Sequence, residues 1–255
     1  VGRWHSFSSV STYETCPRKW QFQYQRRLKV ERQVPVHWRF GTVVHAALEA
    51  AVNWVVENKH SGNLVPATEA AMAALHKAFE DEDMPDREWD RAVGIVQESL
   101  EDLEVDWNNV LGVEQQLQTR SPDGSEFIGY MDLILRLGPT SVLIRDYKVR
   151  STQSTADELV NDPQLNLYGW FVRQLYPWVE TVYAEHYYPP IQKSVRVTLT
   201  QEGMLDTLLR WEAGVEATEM DESFEPVVSE WCDSCVYRDQ CPAWIDKVPT
   251  DQLQF

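Results

Sequence analysis

No apolar run in this 255-residue chain approaches the ~18 residues a membrane-spanning helix needs, and its first residues lack the charged-then-apolar order of a secretory signal. A soluble, cytoplasmic protein is therefore expected. No Gly-x4-Gly-Lys-Ser/Thr occurs, which excludes a phosphate-cradling P-loop and leaves any unwinding motor to a partner. Internal repeats, low-complexity tracts and flexible linkers are missing too. One domain over residues 1–255, with 43% hydrophobic residues to fill its core, is the expected organisation. Basic residues are scarce, 23 Lys and Arg against 40 Asp and Glu, for a net charge of −17. Taken alone, that balance argues against a nucleic-acid partner, because phosphate binding ordinarily needs a basic footprint.

The charge is segregated, however. Seven basic residues (Arg18, Lys19, Arg26, Arg27, Lys29, Arg32, Arg39) face one acid, Glu31, over 18–39, and twelve acids face Arg87 and Arg91 over 80–106. The pattern permits a basic face on an acidic body or, equally, an ordinary solvated surface.

Along the chain, an aromatic-rich stretch from Phe7 to Leu28 reads as one helix or two short ones broken at Cys16-Pro17, with Ser11 or Thr12 as its cap. An extended segment through Pro35 precedes an amphipathic helix over 41–58, with Val44, Leu48, Ala51 and Val55 on one stripe and His45 beside it. A turn at 61–63 and helices over 67–83 and 89–107 complete a helical region, 41–110. Strands are expected over 111–120, in a hairpin over 129–148, and over 181–188 and 194–200. These make a sheet core, 111–200, in which a helix over 162–175 carries Gln164 and Tyr168 on one face. A last helix covers 204–218.

The hairpin holds the clearest chemistry. Two apolar strands meet at a turn around Pro139, and each carries a carboxylate where a core residue would be expected. Alternation puts Tyr130, Asp132 and Ile134 on one face of the first strand, and Ile144, Asp146 and Lys148 on one face of the second. A loop centred on Pro139 sets Asp132 opposite Asp146, with Cβ atoms about 4.5–5.5 Å apart. Like charges that close on an apolar face require a shared proton or a cation, and a divalent metal is the simplest solution. Glu114, on the preceding strand, falls either near this site or on the surface.

The four cysteines are Cys16 and a C-x2-C-x5-C cluster, Cys232, Cys235 and Cys241. In a cytosolic chain such pairs favour metal over disulfide. The spacing suits either tetrahedral zinc or an iron–sulfur cluster.

The series Cys16-Pro-Arg-Lys-Trp, Phe-Gly-Thr-Val-Val-His45, Gly-Tyr-Met-Asp132, Asp146-Tyr-Lys148, Gln164-Leu-Asn-Leu-Tyr168 and the distal cysteines resembles the PD-(D/E)xK nuclease superfamily. It is most similar to the RecB-type branch with an iron–sulfur cluster, which includes the AddB nuclease module and CRISPR-associated adaptation exonucleases. The resemblance runs from Cys16 to Cys241. It implies an α/β, restriction-endonuclease-like mixed central sheet flanked by helices, with a helical insertion and a four-cysteine staple joining the N- and C-terminal regions.

It further implies His45, Asp132, Asp146 and the Tyr147 carbonyl as metal ligands, and Lys148 as the group that positions or deprotonates the attacking water. Gln164 and Tyr168 would orient that lysine and the nucleic-acid backbone. Cys16, Cys232, Cys235 and Cys241 would hold a [4Fe-4S] cluster. Asp146 stands where many relatives have Glu. The site metal would be Mn2+ or Mg2+, with the imidazole favouring Mn2+. The implied activity is that of a DNA exonuclease on single strands or ends in recombination, repair or CRISPR-type processing. Such a protein would act beside a helicase or integrase, or as a homo-oligomer, with no membrane. The alternative is a catalytically silent DNA-end-binding or assembly subunit, which would be expected to have lost one of Asp132, Asp146 or Lys148.

Overall fold

The computed structural model describes residues 3–30 and 34–245. Glu31 and Arg32 of the basic run lie outside the described residues. The chain divides into two compact units, one drawn from 34–117 and 129–207, the other from the described residues of 1–33, 118–128 and 208–255. The basic run is divided between them.

In the smaller unit, α1 (Phe7–Thr15) and α2 (Pro17–Trp20) are separated at Cys16, as the Cys-Pro step predicts. The cap is Ser6, whose hydroxyl accepts from the Ser9 amide at 3.0 Å, and not Ser11 or Thr12. Proline at the first position of α2 costs no hydrogen bond there. Trp20 organises this unit. It is buried, stacks on Phe224 at 5.6 Å and donates its indole N–H to Ser9 Oγ at 2.9 Å.

The larger unit begins with α3 (Val36–Glu57), which starts five residues before the expected boundary at 41. Pro35 acts as its N-cap, and its carbonyl accepts from Trp38 N–H, so the segment read as extended is already helical after the proline. Val44, Leu48, Ala51 and Val55 are fully buried, as the stripe requires. The residues at 61–63 form a short strand, β1 (Ser61–Asn63), not a turn. Next come α4 (Thr68–Asp81) and α5 (Trp89–Asp102). The helix expected to reach 107 stops at Asp102, because β2 (Glu104–Asp106) leaves it to pair antiparallel with β1.

The central sheet follows as β3 (Val110–Arg120), β4 (Glu126–Arg136), β5 (Ser141–Tyr147), β6 (Thr181–Tyr188) and β7 (Lys193–Thr198), adjacent in that order. The hairpin β4–β5 is antiparallel, β5–β6 parallel and β6–β7 antiparallel, so the sheet is mixed. The parallel step is made by α6 (Ala156–Val160), a helix absent from the sequence reading, and α7 (Pro163–Leu175). A reciprocal Thr155–Glu158 capping box starts α6, and Asp162 ahead of Pro163 starts α7. The last long helix, α8 (Gln201–Met220), and the short α9 (Pro242–Ile245) complete the order. Helices α3, α4 and α5 pack on one another and on Leu133, Leu135, Leu143 and Tyr147 of the sheet in one core cluster. No helix of the described residues is long and apolar enough to cross a membrane.

Candidate metal centre

The hairpin register pairs Leu133 with Arg145, Ile134 with Ile144 and Leu135 with Leu143. Continued by one step beyond the last pair, that register runs to Asp132 and Asp146, the pair expected from a turn at Pro139. Asp132 does not point idly at its neighbour. Its Oδ2 accepts the Tyr147 amide at 2.7 Å and lies 3.5 Å from His45 Nδ1. The other imidazole nitrogen, Nε2, is 2.9 Å from the Tyr147 carbonyl. A carbonyl can only accept, so Nε2 donates to it and Nδ1 is the nitrogen turned to the carboxylate. Helix α3 and strand β5 are thereby joined through the main chain of Tyr147.

A third acceptor completes the arrangement. Ligand atoms of His45, Glu114 and Asp132 all lie within 4.8 Å of one another. Glu114 reaches this spot through a left-handed backbone, φ +43°, in the middle of β3. That conformation is uncommon for a non-glycine residue, breaks the alternation of the strand and re-aims the side chain. Glu49, one helical turn beyond His45, faces the same cavity of about 490 Å³, which Thr42 and Trp38 also line. Sequence reasoning left Glu114 undecided and overlooked Glu49. The i, i+4 spacing from His45 was the available signal for the latter.

Burial, then the nearby Asp146 charge, pushes the Asp132 carboxyl up to about 7, against the opposing pull of the Tyr147 amide and Lys148. Burial, with Asp132 and Glu49, pushes Glu114 up to about 7 as well. Lone pairs facing lone pairs in a half-buried cleft need a proton or a cation, and a hard oxygen set with one imidazole suits a divalent ion. The residues present fit such an ion, with His45, Glu114 and Asp132 as its holders.

Asp146 and Lys148 form a pair at 2.8 Å. On α7, Gln164 donates to the Tyr168 hydroxyl at 3.0 Å, and Tyr168, buried, also takes the Tyr130 amide. Burial raises the Tyr168 phenol pKa, and the charges of Asp132 and Asp146 act on it in the same direction. Of the residues expected as metal ligands, His45 and Asp132 meet beside the main chain of Tyr147, while Asp146 pairs with Lys148 and is not in the His45–Glu114–Asp132 group. The Tyr147 carbonyl is engaged by His45.

The shifted carboxylates set the behaviour of the metal-free protein with pH. Asp132 and Glu114 keep protons in the folded state that the unfolded chain has lost above its ordinary values of 3.8 and 4.5. Stability of the metal-free form therefore declines as pH rises from about 4 to about 7. Metal affinity rises over the upper part of that window, because binding must release those protons. Urea denaturation in chelator at several pH values, beside Mn2+ titrations, checks both trends. Flat curves would refute them.

In the smaller unit, Cys16, Cys232, Cys235 and Cys241 are all free thiols that line one cavity. Arg18, Lys19 and Arg238 share its wall, and among the described residues neither a carboxylate nor an imidazole does. The Ser229 amide points at Cys232 Sγ, 3.4 Å away. Among the described residues, the trio at His45 is the only group of three or more donors within 4.8 Å, so no three of the thiols lie that close together. One tetrahedral zinc would draw its sulfurs to roughly 4 Å from one another.

The central hairpin of the mixed sheet thus carries two acids and an Asp-x-Lys, and a histidine of α3 stands beside them. Residues 5–242 match the family model of the PD-(D/E)XK nuclease superfamily. The chain belongs to that superfamily. No curated protein matches it. Among solved structures, it is similar to a crystal structure named "Putative exonuclease" from Eubacterium rectale. That match has a TM-score of 0.60 and 11% identity, and covers 98% of this chain and 91% of the other. It is also matched by the crystal structure of SSO0001, at a TM-score of 0.37 and 15% identity, covering 93% and 95%. The first likeness concerns the fold alone.

Proposed function

We propose that the protein is a metal-dependent deoxyribonuclease acting as an exonuclease on single-stranded DNA or DNA ends, in recombination, repair or CRISPR-type DNA processing in the cytoplasm. The observation that carries this reading is the convergence of His45, Glu114 and Asp132 beside the Asp146–Lys148 pair. A silent scaffold would have no reason to keep that convergence.

When bound, Mn2+ or Mg2+ would neutralise phosphate charge and acidify a water molecule. The remaining work falls to the chain. His45 is locked in one tautomer by the Tyr147 carbonyl, so its Nδ1 faces the donor set without rearrangement. Lys148, half-exposed and held by Asp146, orients the attacking water and offers a positive charge to the developing phosphorane. Tyr168, fixed by Gln164 and the Tyr130 amide, supports the strand that carries Asp132.

The four thiols are read as the holders of a [4Fe-4S] cluster that staples the N-terminal helices to the C-terminal segment. The four cysteines around one cavity and the three cations beside them support this. Such a cluster would fit the RecB-type, iron–sulfur branch. A helicase or integrase partner, or self-assembly, would supply substrate ends.

Incubation of end-labelled single-stranded DNA with Mn2+, beside the Asp146→Ala variant, tests the enzymatic reading. Cleavage that needs metal and disappears in the variant is expected. Intact substrate with the unmodified protein would overturn it.

A further inference from the structure

The chain turns sharply where β5 leaves the site. The Arg150 amide donates to the Lys148 carbonyl at 2.7 Å, two residues back. The Lys148 amide donates to the Tyr187 carbonyl at 2.8 Å, so the parallel pairing of β5 with β6 reaches past Tyr147. Register fixes what lies beside the acid. Asp146 is paired with His186, and Tyr188, two residues on, shares the sheet face of His186 and comes next to Lys148. Both β6 side chains are buried. The face that carries Asp146 and Lys148 is thus bordered on β6 by an imidazole and a phenol that no step of the proposed reaction uses.

These two side chains hold the loop that follows Lys148. The Ser154 amide donates to the Tyr188 hydroxyl at 2.7 Å, and Ser154 Oγ lies 3.4 Å from His186 Nδ1. Arg150 Nη2 in turn donates to Ser154 Oγ at 3.2 Å, and its guanidinium carbon stands 5.9 Å from the centre of the Tyr188 ring. A long cationic side chain ordinarily samples many rotamers, and this one is tethered at its tip. The charges of Asp146, Lys148, Asp162 and Arg150 all act on His186, which sets them around one place.

Arg150 is nevertheless chemically spare. Lys148 pairs with Asp146, and Arg145 and Arg196 share Glu185. Among the described residues no carboxylate pairs with Arg150, and Ser154 Oγ takes only one of its N–H groups. The residue is exposed, so the rest of its planar fork is open to an anion from outside.

We propose that Arg150 binds a phosphate flanking the scissile one, with Ser154, Tyr188 and His186 as the residues that position it. The inference rests on the nuclease reading and adds to it the contact that sets the register of the substrate. A guanidinium fork matches two phosphate oxygens at once, which an ammonium does not. Lys148 already serves the phosphate under attack, and Arg150 extends over the same sheet face from two residues further along the chain, so the phosphate it holds is a neighbour.

The test has a binding arm and a cleavage arm. Anisotropy of a fluorescein-labelled oligothymidylate in Ca2+ is followed across a salt series, for wild type and Arg150→Gln. The variant should bind about tenfold more weakly, with a slope of log affinity against log salt shallower by about 0.7, one phosphate contact on a single strand. Cleavage in Mn2+ is then measured on strands with a single neutral methylphosphonate at each position around the cut. Wild type should lose about tenfold, in KM more than in kcat, at one flanking position, and Arg150→Gln should be indifferent to that same substitution. Ser154→Ala, which keeps the charge but unties it, should raise KM several-fold. Because Arg150 is exposed, Arg150→Gln should melt with wild type. An unchanged affinity and salt slope in Arg150→Gln, or equal methylphosphonate sensitivity in variant and wild type, overturns the assignment. Unaltered KM in Ser154→Ala overturns the positioning role. Cleavage that ignores Arg150→Gln defeats the phosphate contact alone, whereas the lost salt term without Mn2+-dependent cleavage by wild type upholds the contact and defeats the nuclease reading.

Discussion

Asp132→Asn is expected to lower metal-dependent cleavage by about 10³-fold or more in kcat/KM, and to leave the metal-free fold at least as stable as before. The two effects share a cause. Asp132 is the hub at which the Tyr147 amide, His45 Nδ1 and the donor oxygen of Glu114 meet. Without its charge the site loses a hard ligand and His45 loses its opposite number. Yet that charge is disfavoured where it stands, because burial and Asp146 push the carboxyl up to about 7. An amide keeps an acceptor for the Tyr147 N–H and removes the repulsion, so above pH 7 the metal-free variant should melt at or above the wild-type temperature. Melting curves at pH 8 in chelator, read beside single-turnover cleavage in Mn2+, decide the matter. Activity within tenfold of wild type, or a clear drop in Tm, would count against this view of the residue.

Cys232→Ser is expected to remove a brown chromophore together with most of the soluble yield. Protein purified without oxygen should show broad visible absorbance, iron and acid-labile sulfide. Four thiols around one cavity, with Arg18, Lys19 and Arg238 beside them, are suited to an anionic iron–sulfur core. A cluster held by all four would tie Cys16, at the N-cap of α2, to a C-terminal segment of short 3-10 turns that has little regular structure of its own. Structural metals in small modules contribute on the order of 10 kcal/mol to folding, so the loss should be felt as unfolding rather than as altered chemistry. The surviving folded fraction should cleave near normally per molecule. Colourless wild-type protein with stoichiometric zinc would contradict the cluster.

The hairpin was legible because its determinants are local. A turn at Pro139 fixes the register, strand alternation fixes the faces, and Asp132 opposite Asp146 follows from those two facts alone. The stripe of α3 and the helix carrying Gln164 and Tyr168 were legible for the same reason. Glu114 was not, since its placement depends on one left-handed residue within an otherwise regular strand, and no residue type there announces it. The strands at 61–63 and 104–106 escaped because each has three residues, too few for a period, and each exists only through the other. The early start of α3 was obscured by Pro35, which forbids a helix before it and favours one after it.

One consequence attaches to Tyr147. Between Asp146 and Lys148 it serves the site twice, by its amide to Asp132 and its carbonyl to His45, and neither contact uses the side chain. The ring instead lies in the apolar cluster with Leu143 and α3. The identity of this residue is thus answerable to the packing of the helical region, while its chemical contribution is carried by atoms that every amino acid except proline possesses. In a library of substitutions at 147, bulky apolar residues should pass, proline should be purged, and small residues should fail by loosening the core without altering the arrangement of the ligands.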